Sequence, residues 1–322
     1  MKVLMPQGIG DSVWGLHKVQ AVRDALDPGG AIDIALPGTP ASAVESRAVD
    51  FVRRFDFVRS VEMRPWDIHR QPHIAPDGTY NYLDDGWYEF DDGAGGTERV
   101  CALMPNAALE HGTRLEDWLP QYDIDWAIFD HFHIEPWEWS LAANLRDRIG
   151  PYAVFYPGPL HGNSGDGHNR GMLWRPADWA ALGSRVYRDF GLRIAVVGAP
   201  YDYDYYRWLV RPALNGDRDS WTELIGQTTV GELYAVTSTA KFVISYQSGV
   251  GIVSTYLGTP TAIWWRQHGD SISASQYLTF DNRMASAWVP PARLAAGVHL
   301  PLYYGRETVD DIVSEIGRRG WA

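Results

Sequence analysis

The stretch that most constrains the fold runs from Phe242 to Trp265. Phe242, Val243, Ile244 and Ser245 form a short, largely β-branched apolar run, the pattern of a strand buried in a parallel sheet. Gln247, Ser248, Gly249, Val250 and Gly251 then break it. Glycines let a backbone approach a ligand, and the residues after them open a helix whose first amides lack carbonyl partners. Those amides and the helix dipole suit an anion such as a phosphate. Gly258 and Pro260 end the helix, and Thr261 to Trp264 read as the next strand. An ordinary βαβ unit gives the same pattern, so the rest of the chain has to decide.

Lys2 to Met5 read as a first strand, followed by a helix to Leu26 with Val13, Leu16, Val19, Val22 and Leu26 on its apolar face. Gly8, Gly10 and Asp11 therefore fall at the carboxyl end of strand one, where open parallel sheets bind ligands. A dinucleotide fingerprint is excluded, because Val13 stands where the third glycine belongs and strand two runs into Leu36 and Pro37 without an acid. No glycine-lysine-serine/threonine run marks a P-loop. Thr39 to Phe55 read as a helix and Val58 to Met63 as a strand. Periodicity is lost from Arg64 to Val100, a segment rich in Asp, Gly, Tyr and Trp that reads as an acceptor-binding loop or a plain surface excursion.

A helix from Glu135 to Ile149 ends at Gly150 and Pro151, which the pattern marks as a domain boundary. The second half repeats the first: strand Tyr152–Tyr156, a glycine-bearing loop to Gly171, helix Pro176–Phe190, and strand Arg193–Val197 ending at Gly198. Asp202–Leu209 and Thr229–Thr237 read as helices. Thr308 and Asp311, three apart, cap a final helix through Arg318. The expectation is an α/β chain of two doubly wound, Rossmann-like domains facing a cleft. Residues 1–150 form the acceptor domain and 151–305 the nucleotide-sugar domain. A terminal helix, 306–322, has the N-terminal domain as its candidate packing surface.

Composition narrows the function. A chain of 322 residues suits two domains. The formal net charge of -12 disfavours nucleic acid and anionic membrane as partners. Fifteen Trp and seventeen Tyr favour a protein that stacks on bases or sugars. The single cysteine, Cys101, excludes an intramolecular disulfide and fits a cytoplasmic location. No apolar run is long enough to span a bilayer, and Lys2 to Met5 is too short for the apolar core of a secretory signal.

Three places resemble the ADP-heptose:lipopolysaccharide heptosyltransferases, glycosyltransferase family 9. Gly8, Gly10 and Asp11 before an amphipathic helix resemble the family's glycine-aspartate opening. Trp174, Pro176, Trp179 and Leu182 resemble its K-x-W-P-x-x-x-W-x-x-L segment with one inserted residue. Glu223 through Gly249 resembles the stretch that ends in a strand and D-[ST]-G. The resemblance covers most of the chain and implies the GT-B fold.

It also implies an inverting, metal-independent sugar transfer from a nucleotide-diphosphate donor, with Asp11 as general base on the acceptor hydroxyl. By the same resemblance Ser164, Asn169, Arg170, Gln247, Ser248 and Gly249 meet the diphosphate, Gly198 and Glu223 the nucleoside, and Gly8, Gly10, His131 and His133 the acceptor. No cofactor and no metal are expected. The acceptor would be a glycan, a lipid-linked sugar or a protein. The chain departs from the family at Met172, where lysine is usual, and at Gln247 and Ile252, where the family has an acid and a histidine. Those departures keep open a different donor, a degenerate sugar- or nucleotide-binding protein, and a nucleotide-sugar epimerase of the same fold.

Other signals compete. Asp202/Asp204 and Asp123/Asp125 match the D-x-D of metal-dependent sugar transferases, although Asp202 is equally placed to cap a helix. Asp130, His131 and His133 lack a third cluster at metal-site spacing. Trp264 and Trp265, neighbours on a strand, should send one ring to the core and the other toward the ligand edge. Tyr201 to Trp208 either border the nucleotide or simply pack.

Overall fold

The structure, a computed structural model, describes residues 2–5, 8–26, 29–38, 46–64, 86–91, 97–102, 126–158, 174–214, 217–246, 248–265, 289–303 and 307–322. The described residues up to His133 form one compact unit and those from Ile134 onward a second.

The first unit is a five-stranded sheet of β1 (Lys2–Leu4), β2 (Ile32–Pro37), β3 (Val58–Arg64), β4 (Gly86–Asp91) and β5 (Thr97–Ala102), in the order β3-β2-β1-β5-β4. All pairs are parallel except β4 with β5. Helix α1 (Ile9–Leu26) covers the sheet with Val13, Leu16 and Val19, each buried. It lies close to the end of β1, because a Cβ on Gly15 would stand 3.2 Å from Cε of Met5. Ser46 caps the short helix α2 (Arg47–Val52), accepting the Val49 amide at 3.3 Å.

The segment read as aperiodic between Arg64 and Val100 is not structureless: it holds β4 and the start of β5, and β5 pairs with the central strand, Val3 opposite Cys101. The signal was hidden because the two strands are short and the five residues between them include Asp92, Gly93, Gly95 and Gly96.

The second unit is a six-stranded, all-parallel sheet of β6 (Tyr152–Tyr156), β7 (Arg193–Val196), β8 (Trp221–Glu223), β9 (Val243–Tyr246), β10 (Thr261–Trp265) and β11 (His299–Tyr303). Its order is β8-β7-β6-β9-β10-β11. The chain steps outward from β6 to β8, then returns to the other side of β6 at β9. That reversal is the topological switch point of a doubly wound sheet.

Among the described residues, five helices and a run of short helical turns (200–213) serve the two faces. Helices α3 (Trp139–Ile149), α5 (Val230–Thr239) and α6 (Gly249–Tyr256) cover one face, and α4 (Pro176–Phe190), the 200–213 turns and α8 (Val309–Arg319) the other. A further short helix, α7 (Pro291–Ala295), precedes β11. Strand alternation divides the side chains accordingly. Ala153, Phe155, Ile244, Tyr246, Ala262 and Trp264 join Trp179, Leu182 and Val186 of α4 in one core. Tyr152, on the opposite side of β6, donates its hydroxyl to the Val236 carbonyl of α5 at 2.8 Å. Burial of each large side chain contributes about 1.5–3 kcal/mol.

Two boundaries differ from the expectation. Gly150, with φ 74°, stops α3 but does not separate domains, because α3 belongs with the second unit. The reason lies just before the helix. Glu138 is fully buried, its carboxylate accepting the Thr229 hydroxyl at 3.0 Å and the Glu135 amide at 2.9 Å. Thr229 is the N-cap of α5, so a buried acid pins the start of α3 to the start of α5. The terminal helix, for its part, belongs to the second unit and packs on α4: Ile312, Val313 and Ile316 enter that unit's core. Its cap is as read, with Thr308 accepting the Asp311 amide at 3.2 Å and Asp311 the Thr308 amide at 2.9 Å.

Candidate functional site

At the switch point of the second unit, β9 ends at Tyr246 and α6 begins at Gly249. Ser248 is the N-cap, its hydroxyl accepting the Gly251 amide at 3.4 Å and lying 2.8 Å from the Ser245 hydroxyl. Amides at the first positions of a helix have no carbonyl one turn back. Glycine at 251 has a packing reason: a Cβ there would stand 3.0 Å from Cγ1 of Ile263 and 3.1 Å from Oγ of Ser245. The helix therefore sits tight on the sheet, and its positive end is held at the carboxyl edge of β9.

The neighbouring strand ends carry the other expected residues. Gly198 follows β7, and its carbonyl accepts the Gly226 amide at 3.0 Å, joining the loops after β7 and β8. Glu223, half-buried, closes β8. Its charge, after burial itself, helps push the Tyr206 phenol up to about 12. Tyr205 is likewise held near 12, chiefly by burial, with the charge of Asp178 adding to it against a hydrogen bond from Tyr246. Ser248 and Gly249, Gly198 and Glu223 thus lie along one edge of four adjacent strands. At a strand spacing of about 4.8 Å this edge spans ~14 Å, enough for a ligand of several parts.

Asp202 is 1% exposed, and its carboxylate accepts the Ala199 amide at 2.8 Å and the Tyr156 hydroxyl at 3.4 Å. Asp204 is exposed. The two acids of this D-x-D therefore point apart, and among the described residues no three His, Cys, Asp or Glu side chains gather as metal ligands would. Trp264 lies wholly in the core, 4.5 Å from Trp174 and 5.2 Å from Trp179, centroid to centroid. Trp179 donates its indole N–H to the Tyr246 hydroxyl at 3.0 Å. The Trp174–Leu182 segment is thus an aromatic brace beneath the carboxyl ends of β9 and β10. Tyr201 and Trp208 are exposed at this edge, with Arg207 over the Tyr203 and Trp208 rings.

In the first unit Gly8 precedes α1, while Gly10 and Asp11 lie in its first turn, at the carboxyl end of central strand β1. That is again a switch point, since β2 and β5 flank β1. His131 and His133 do not join them. His131 lies 3.1 Å from the Asp56 carboxylate, and His133 exchanges hydrogen bonds with Arg54 through its amide (2.8 Å) and its carbonyl (3.2 Å). Arg54 and Asp56 precede β3, so the histidines occupy the amino-terminal edge of the sheet. Both ends of a sheet look alike in a sequence. Ser164, Asn169, Arg170 and Gln247, and also Asp123 and Asp125, lie outside the described residues.

No family model matches the sequence, and no curated protein matches it. Solved structures do resemble it. E. coli ADP-heptose lipopolysaccharide heptosyltransferase II has 15% identity and a TM-score of 0.62, over 99% of this chain and 97% of that one. Its fold is GT-B. A Veillonella parvula glycosyl transferase of family 9 shares 14% identity, with a TM-score of 0.58 over 98% of this chain and 90% of its own. E. coli heptosyltransferase WaaC with ADP follows at 16% identity and 0.51, covering 99% and 98%. Within this GT-B chain, no described helix is long and apolar enough to cross a membrane.

Proposed function

We propose that this protein is a glycosyltransferase that moves a sugar, with inversion and without a metal, from a nucleotide-diphosphate donor to an acceptor hydroxyl. The observation that carries the reading is the capped start of α6 at the switch point of an all-parallel sheet, in a chain with the GT-B fold. Ser248 and Gly249 present amides to the leaving diphosphate, whose charge grows as the glycosidic bond breaks. Arg170, Ser164, Asn169 and Gln247 complete that role. Gly198 and Glu223 take the nucleoside. Asp11, in the first turn of α1, removes the acceptor proton as its oxygen attacks the anomeric carbon.

The acceptor is a glycan, a lipid-linked sugar or a protein, and the reaction is cytoplasmic. ADP, present with one structural neighbour, is the first base to try. Ile252, buried and apolar in α6, favours a second reading, a donor-binding protein without transfer. Release of nucleoside diphosphate from nucleotide sugars, in EDTA and in magnesium, separates the two. The transferase reading expects release in EDTA once an acceptor is present, and at least a hundredfold loss in Asp11→Asn, the scale of general-base catalysis. Donor binding without release on any acceptor supports the binding protein, and undiminished turnover in Asp11→Asn removes Asp11 as the base.

A further inference from the structure

Gly158 and Gly198 follow β6 and β7, the adjacent strands on one side of the switch point. Neither has a positive φ, so backbone conformation does not call for glycine at either position. Space does. A Cβ on Gly158 would stand 2.5 Å from Oδ1 of Asp202, and one on Gly198 3.0 Å from Oδ2. The room of two missing side chains is filled by one carboxylate. That carboxylate also accepts the Ala199 amide and the Tyr156 hydroxyl, one from each strand's end.

We propose that Asp202 is a positioning residue of the nucleotide-binding edge, fixing the end of β6, at Tyr156 and Gly158, against the turn that leaves β7. The proposal rests on the nucleotide-sugar reading above. One geometric point separates this role from simple capping. Besides the Ala199 amide of its own turn, the carboxylate takes the Tyr156 hydroxyl and fills the space beside Gly158, so it ties the end of β6 to the turn after β7, at the edge where parallel sheets bind ligands. Asp202 acts through Tyr156, Gly158 and Gly198 and touches no ligand itself.

The test is calorimetric titration of the full chain, in EDTA and again in magnesium, with whichever of ADP, UDP, GDP or dTDP binds the wild type, well below the melting transition. Asp202→Asn keeps an oxygen for the Ala199 amide and is expected within threefold of the wild-type Kd. Asp202→Ala is expected to raise Kd at least tenfold. Gly158→Ala, which drives a methyl into an intact Asp202, is expected to do the same and guards against an unfolded alanine variant. If Asp202→Ala and Gly158→Ala lower the melting temperature but bind as the wild type does, Asp202 is a cap only and the proposal falls while the transferase reading stands. If wild-type binding requires magnesium and Asp202→Asn abolishes it, Asp202 is a metal ligand and the proposal is overturned. If no nucleotide binds the wild type, the transferase reading fails and takes the proposal with it.

Discussion

Replacing Gly231 by alanine tests the packing that assigns α3 to the second unit. A Cβ at this position would stand 1.9 Å from Oε2 and 2.1 Å from Cδ of Glu138, so the carboxylate must leave its place. It then gives up the Thr229 hydroxyl at 3.0 Å and the Glu135 amide at 2.9 Å. Hydrogen bonds to an ionised group contribute about 1.5–3 kcal/mol each. Alanine returns at most about 1 kcal/mol of helix propensity in the first turn of α5. The net cost is about 2–5 kcal/mol, or roughly 4–20 °C in the melting temperature of a unit this size.

The double variant Gly231→Ala/Glu138→Ala provides the control. Its methyl enters the space the carboxylate vacated, so its cost stays close to that of Glu138→Ala alone, a coupling about equal to the Gly231→Ala cost. Urea unfolding followed by tryptophan fluorescence measures all three variants, with Trp137 and Trp139 flanking the perturbed residue. Costs that add within about 0.5 kcal/mol, as for independent sites, refute the reasoning.

Acid should weaken the second unit through His299, whose imidazole is held down to about 3, mainly by burial. Below its ordinary pKa near 6.5 the unfolded chain takes up a proton that the folded one refuses, so stability present above pH 6.5 falls steadily toward pH 3. The loss by pH 5 is about 2 kcal/mol, and His299→Gln should flatten that slope in urea unfolding at successive pH values; an unchanged slope removes His299 as its source. Trp179→Phe removes the hydrogen bond to Tyr246 and part of the aromatic brace, at about 2–3 kcal/mol in the same assay. A cost under about 0.5 kcal/mol would show that the core closes around the smaller ring.

What the sequence made legible were features set by neighbours along the chain. The apolar run into Ser248 and Gly249, the start of α1 after β1, and the Thr308/Asp311 cap are local patterns, and each is found where the spacing puts it. Features set across the sheet were not legible. Nothing near Glu138 in sequence announces that Gly231, far along the chain, leaves room for its carboxylate. The glycine-proline pair after Ile149 therefore looked like a boundary. His131 and His133 were grouped with Gly8 by the resemblance alone, and only pairing with residues 54–56 reveals which edge they occupy. Asp202 looked like half of a metal motif until its partner Asp204 proved exposed and Gly158 and Gly198 proved to be its cradle. A glycine next to a strand signals either a turn or a close approach, and the sequence does not say to what.

The central claim is that the carboxyl edge of the β6–β9 sheet binds a nucleoside diphosphate through backbone amides. The most direct measurement is the melting temperature of the wild-type protein with ADP, UDP, GDP and dTDP, each in EDTA and again in magnesium. A ligand bound only by the folded state at a hundred times its Kd adds about 2.7 kcal/mol, which corresponds to a rise of roughly 5–10 °C. The account predicts such a rise with one base, equal in EDTA and magnesium. No rise with any of the four, or a rise that appears only with magnesium, would contradict it.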